Sequence, residues 1–248
     1  MLAVCTSSTL ALLDAPTLRR APASLGPDSI RLLRSPTAIT WSQDNSYLFV
    51  AQADGIHKFE PVGHHTGVVY ETAHPITALA IRDKGNSILY NNGAEITILD
   101  TPSGNVTQNF NSHKTNVTSL SLSNDTTLLA STSTDTVLVH NLTMASHTVL
   151  RGLPTGDITT CVFHTHTRTR LLIGIGNQLA IYDTSRPSSP AKVISLEKAG
   201  SGRIVSIACS PFSKTLLAVA CAGGLVGLVD LDKDKGSVSQ WVTLNSPF

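Results

Sequence analysis

His113, then Val117-Thr-Ser-Leu-Ser-Leu122, then Leu128-Leu-Ala-Ser-Thr-Ser-Thr-Asp135, then Val137-Leu-Val-His-Asn141 is the stretch on which the reading of this chain turns. Residues 117–122 alternate apolar and hydroxyl side chains, the period of a strand with two different faces. Ser123-Asn-Asp125 is a polar turn, and Leu128–Thr132 is a second strand rich in small residues. Thr134-Asp135 makes a tight turn into a third strand that closes on the pair His140-Asn141.

Outward from this unit the pattern recurs. An apolar residue followed by an acidic one closes a β-like run at Leu13-Asp14, Phe59-Glu60, Leu99-Asp100, Tyr182-Asp183 and Val229-Asp230, with His140-Asn141 as the degenerate member. Successive second members are 46, 40, 41, 42 and 47 residues apart. Alternating opening strands recur in step at 36–41, 76–81, 117–122, 158–163 and 204–209. Their fourth residues, Ile39, Leu79, Leu120, Cys161 and Ile207, are 40, 41, 41 and 46 apart. A period near forty with four strands per unit predicts an all-β chain, a β-propeller of WD40 type in a single domain. The blades read 1–35 (partial, lacking its opening strand), 36–74, 75–114, 115–155, 156–201 and 202–248. Val4, Leu10 and Leu12 then fall in a blade one strand short. An incomplete copy of a seven-bladed ring is therefore favoured over a six-bladed ring with irregular closure.

The unit at 113–141 resembles the WD40 consensus residue by residue. In that family a His, a Ser or Thr, an Asp and a Trp form a buried hydrogen-bonded set. The resemblance gives those roles to His113, Ser131 and Asp135, while His140 stands at the Trp position and leaves the set incomplete. Neither Trp41 nor Trp241 sits at a closing pair.

Composition narrows the partners. A formal net charge of +1 gives no polyelectrolyte attraction to nucleic acid or membrane, and no apolar run reaches the ~18 residues of a spanning helix. The stretch 1–20 lacks a basic n-region, so a signal peptide is not expected, although Arg19 and Arg20 leave a transit peptide open. Cys5, Cys161, Cys209 and Cys221 show no C-x-x-C spacing and read as reduced thiols, three of them at buried strand positions. Sequons at Asn105, Asn116, Asn124 and Asn141 matter only in a secreted chain.

Little points to catalysis. His164-x-His166 and His64-His65 are the only hints of a metal, and both read as turn residues. Gly174-Ile-Gly176 precedes no helix and reads as a turn between strands. No nucleophile elbow, P-loop or paired carboxylates occur, and no cofactor is expected. Arg19, Arg20, Arg31 and Arg34 flank a Pro-rich connection, and Arg168 and Arg170 lie near Arg151 and Lys192. These read as solvated loop charges or as a shallow basic face for an acidic partner segment. Ser-Pro and Thr-Pro steps at Ser35, Thr101, Ser189 and Ser246 are candidate phosphate acceptors.

A narrower resemblance rests on Ser112-His-Lys-Thr-Asn-Val117, Ile181-Tyr-Asp-Thr184, Ile207-Ala-Cys-Ser-Pro-Phe212 and Leu216-Leu-Ala-Val-Ala-Cys221. Together these are similar to the N-terminal propeller of the γ-tubulin ring complex adaptor family, the neural-precursor-expressed, developmentally down-regulated protein one type. The resemblance implies a non-catalytic scaffold that is cytoplasmic and sits at microtubule-organising centres. Its propeller would direct targeting, and a separate helical region would bind the γ-tubulin complex. A different scaffold, such as a ubiquitin-ligase substrate receptor or a trafficking subunit, is the alternative. A propeller hydrolase is the remote one.

Overall fold

The computed structural model describes residues 2–5, 9–13, 30–32, 34–61, 64–72, 74–111, 113–196, 202–232 and 238–243. These form antiparallel strands joined by turns, with one short 3-10 turn at Asp83–Gly85 and no α-helix among the described residues. No described helix is long and apolar enough to cross a membrane. The chain divides into two units, 1–112 and 113–248.

The first unit holds three sheets. Strands β1 (Leu2–Cys5), β2 (Thr9–Leu13) and β3 (Ile30–Arg31) form a three-stranded sheet. Strands β4 (Ala38–Trp41), β5 (Leu48–Gln52), β6 (Gly55–Phe59) and β7 (His65–Glu71) form a four-stranded meander. So do β8 (Leu79–Arg82), β9 (Ser87–Asn92), β10 (Glu95–Asp100) and β11 (Asn105–Phe110). The second unit repeats that meander three times: β12 (Ser119–Leu122), β13 (Leu128–Thr132), β14 (Val137–Asn141) and β15 (Ser146–Val149); β16 (Ile158–Phe163), β17 (Arg170–Ile175), β18 (Gln178–Asp183) and β19 (Lys192–Ser195); β20 (Ile204–Cys209), β21 (Leu216–Cys221), β22 (Leu225–Asp230) and β23 (Val238–Thr243). Five four-stranded antiparallel sheets in sequence order are the blades of a β-propeller fold.

The division of labour within a blade follows from burial. Second and third strands such as β5 and β14 are buried along their length on both faces, which is why they read as continuous apolar runs. Fourth strands such as β15 are exposed throughout. Apolar seams lie between consecutive sheets. Phe49, Ile56, Ile76, Ile88, Tyr90 and Leu99 fill one in the first unit, and Leu172, Ile181, Ile204, Ile207, Val219 and Val229 fill another in the second.

Opening strands are sheet edges, so half their N–H and C=O groups lack ladder partners. In the second unit the neighbouring blade supplies them. Ser119 Oγ accepts the Cys161 N–H at 3.3 Å and donates to its carbonyl at 3.4 Å, and Ser121 Oγ accepts the Phe163 N–H at 2.9 Å. The hydroxyls alternating with apolar residues in 117–122 therefore tie one blade to the next. The opening strands at β4, β8 and β12 begin two or three residues later than the sequence pattern suggests. At β8 the reason is visible: Asn91 Oδ1 accepts both the Thr77 and Ala78 N–H groups, so a side chain stands in for the ladder there.

The forty-residue beat has a structural explanation. Its apolar members Phe59, Leu99, Tyr182 and Val229 end third strands in the core. Asp100, Asn141, Asp183 and Asp230 then cap the turn into the fourth strand. The Asp100 carboxylate accepts the Ser103 N–H, Asn141 Oδ1 those of Thr143 and Met144, Asp183 that of Ser185, and Asp230 that of Asp232, all at 3.0–3.2 Å. These are Asx turns, which Asp and Asn make and larger polar residues do not. Asp14 lies outside the described residues.

Gly174 is not in a turn, as the sequence suggests, but inside β17. A Cβ there would come 2.8 Å from Ile204 Cγ2 of the next blade, so close packing between blades, and not chain reversal, requires glycine. Cys161 and Cys221 are buried and Cys209 half-buried; Cys5 has no described side chain.

Candidate functional site

The best-formed polar constellation lies inside the blade of β12–β15. Ser131 comes from the middle of β13, His140 from the end of β14, and His113 from the segment leading into the blade. Ser131 Oγ is 2.7 Å from His113 Nε2 and 2.9 Å from His140 Nε2. Ser131 and His140 are wholly buried. One hydroxyl hydrogen serves two imidazole nitrogens, so at least one ring carries its proton on Nε2 and donates to the oxygen. Burial pushes the His140 imidazole down to about 3, with His113 and His147 adding to the effect. Burial likewise takes His113 down to about 4, against the pull of the Asp135 carboxylate. Both rings are neutral at pH 7.

Sequence reasoning leaves this set incomplete for want of Trp. The structure puts His140 in the tryptophan's place as the third member, bonded to the serine hydroxyl. Asp135 is not bonded to His113. Its Oδ1 accepts from Ser133 Oγ at 3.0 Å and from Thr115 Oγ1 at 3.4 Å. His113 Nδ1 is buried without a hydrogen-bond partner among the described residues.

The basic residues separate into distinct environments. Arg168 is engaged: Nε lies 2.6 Å from Asp125 Oδ2, and the guanidinium also donates to Thr127 Oγ1. Burial works against the Asp125 charge, but the Ser123 and Thr127 hydrogen bonds and the Arg168 guanidinium outweigh it and bring the carboxyl down to about 2. That ion pair links the first turns of two consecutive blades. Arg170 instead lines a cavity of about 290 Å³ with Thr167, Tyr182, Asp183, Lys192 and Asp232. Arg34 is exposed, and its backbone N–H donates to Gln52 Oε1. Arg31 lies in β3 without a described side chain, and Arg19 and Arg20 lie outside the described residues.

Of the metal-suggesting histidines, His164 is buried and its Nδ1 accepts the His166 N–H within the turn between β16 and β17. Their ring centroids lie 5.8 Å apart, and His166 Nε2 is 3.2 Å from the Ser210 carbonyl oxygen. No group of three or more His, Cys, Asp or Glu side chains suited to a metal occurs among the described residues.

Residues 104–141 match the family described as WD domain, G-beta repeat. The segment is a WD40 repeat. It runs from the outer strand β11 through β12, β13 and β14, and it contains the whole His113–Ser131–His140 set. No curated protein matches the chain. WD40 domains generally mediate protein–protein interactions and are generally non-catalytic.

Proposed function

We propose that this chain is a protein-docking propeller acting as an adaptor in γ-tubulin complex recruitment, and so in microtubule nucleation and spindle organisation at microtubule-organising centres. The observation that carries the scaffold reading is the WD40 repeat at 104–141, set among five regular four-stranded sheets. Such blades hold turns on a rigid frame and present them to partners. The buried polar groups at 113, 131 and 140 are consumed in holding one blade together, which is a structural use of histidine. The finer reading is supported by the similarity of segments 112–117, 181–184, 207–212 and 216–221 to the adaptor family. Its docking face includes Arg170 beside the 290 Å³ cavity, which Lys192, Asp183 and Asp232 also line.

The test is proximity labelling and co-precipitation of the chain from mitotic cells. Enrichment of γ-tubulin complex or spindle-pole proteins, reduced by Arg170→Glu, is expected. Enrichment of ubiquitin-ligase or trafficking subunits without tubulin sinks the adaptor reading and leaves the scaffold standing.

A further inference from the structure

Five hydroxyls in this chain precede a proline, and the fold gives them different surroundings. Thr101 Oγ1, just past the end of β10, is buried. Ser210 Oγ accepts the Phe212 and Ser213 N–H groups at 3.2 and 3.1 Å, so it is engaged in its own turn. Ser246 lies outside the described residues. Ser35 and Ser189 are exposed, Ser189 in the connection 184–191 between β18 and β19.

The residues that follow separate these two. Ser189-Pro190-Ala191-Lys192 has a lysine at the third position after the hydroxyl, where Ser35-Pro36-Thr37-Ala38 has an alanine. A kinase cleft that offers no acceptor to the residue after the target hydroxyl favours proline, which has no N–H to leave unpaired. A cation two positions further on gives an acidic patch on such a kinase a second point of recognition. Lys192 Nζ donates to the Leu231 carbonyl at 3.1 Å, a contact of a half-buried ammonium that the kinase must take over.

The surroundings of Ser189 also suit the product. The Arg151 N–H donates to the Pro187 carbonyl at 2.8 Å, and a Cβ at Gly152 would come 3.3 Å from Ser189 Cα. The segment 151–152 therefore runs directly beside the serine. Arg151 on that segment and Arg186 in the same connection as Ser189 both carry exposed side chains. A phosphoserine brings about −1.5 to −2 charges at pH 7 and three acceptor oxygens, which guanidinium groups match.

We propose that Ser189 is a phosphorylation site for a proline-directed serine/threonine kinase, and that Arg151 and Arg186 receive the phosphate. In the transfer Ser189 Oγ bonds to the γ-phosphorus of ATP and the bond to the β–γ bridging oxygen breaks. ADP leaves, and the hydroxyl proton passes to the catalytic carboxylate of the kinase. The phosphate then ties the connection 184–191 to the segment that leads into β16.

The test is phosphorylation of the purified full chain by a cyclin-dependent kinase with ATP, with the sites mapped by mass spectrometry. Ser189 is expected as the main site, with Ser35 and Ser210 modified at least roughly tenfold more slowly and Thr101 not at all. Ser189→Ala, at an exposed position, should remove the main product. Lys192→Gln should slow it roughly fivefold, and Lys192→Arg should restore it. In ³¹P NMR the second ionisation of the phosphate should fall below its ordinary value of about 6, and Arg151→Gln with Arg186→Gln should bring it back. Absence of phosphate from Ser189, equal rates at Ser35, or an unchanged rate in Lys192→Gln overturns the assignment of the site. An ionisation left at its ordinary value overturns the role of the two arginines.

Discussion

The buried imidazole at His140 makes the stability of this protein acid-sensitive in a window where its carboxylates are silent. In the unfolded chain a histidine titrates near 6.5, and in the folded chain burial holds His140 down to about 3. Between those values the unfolded state binds a proton that the folded state does not, so unfolding becomes easier as pH falls. The contribution is complete above pH 6.5 and lost progressively toward pH 3. Going from pH 7.5 to pH 5 costs about 2 kcal/mol from this one group, since each unit of pH below 6.5 is worth about 1.4 kcal/mol. His113, less deeply buried, adds about 1 kcal/mol once solvent screening is allowed for. Asp44 and Asp125 lie near 2, and their contributions begin to fall only below about pH 5, as the unfolded carboxyls start to protonate. His65 and His164 are also depressed by burial and share the window, so wild type alone does not isolate His140. The comparison is therefore with His140→Gln, whose amide can still donate to Ser131 Oγ but does not titrate. Urea denaturation at pH 7.5, 6.5, 5.5 and 5.0 should show wild type losing about 2 kcal/mol more than the variant across the series. Equal pH dependence in the two proteins, or a His140 ring that protonates above pH 5 by NMR, refutes the reasoning.

Three further outcomes follow from the packing. Ser131→Ala removes the hydroxyl shared by two buried imidazoles and leaves at least one ring nitrogen unserved; a loss of about 1–3 kcal/mol is expected in urea denaturation at pH 7.5. Gly55→Ala places a Cβ 2.1 Å from the Tyr70 carbonyl oxygen at a φ of +150°, and backbone must move to admit it. A loss of roughly 1–3 kcal/mol in thermal or urea unfolding checks this. Burial raises the Cys161 thiol to about 12, against the Ser119 and Thr132 hydrogen bonds. Alkylation of the native protein followed by peptide mapping should therefore modify Cys209 well before Cys161, and denaturant should abolish the difference.

The repeat was legible because both members of its pair answer to local physics. The first must be apolar to end a buried strand, and the second must be a short acceptor to cap the next turn. Both demands are met at Leu99-Asp100, Tyr182-Asp183 and Val229-Asp230, while His140-Asn141 keeps only the short acceptor and Phe59-Glu60 only the apolar residue. Strand starts were less legible, because the beginning of β8 is fixed by Asn91, which lies fourteen residues from Thr77 and reaches it only once the sheet has formed. Gly174 was misread for a related reason: what it avoids is Ile204, in the next blade.

The histidines show the same limit most sharply. Read along the chain, His64-His65 and His164-x-His166 look like the pairs that belong together. In the folded protein the coupled rings are His113 with His140 and His57 with His65, brought together across strands. The second coupling depends on register. Phe59 pairs with His65, so His65 sits diagonal to His57 on one face of the hairpin, and two one-residue shifts in the β6–β7 ladder bend the strands around that point. Nothing in 64–72 announces where β7 starts or where those shifts fall. Histidine chemistry in an all-β chain is set by cross-strand neighbours, and so it becomes readable only after pairing is known.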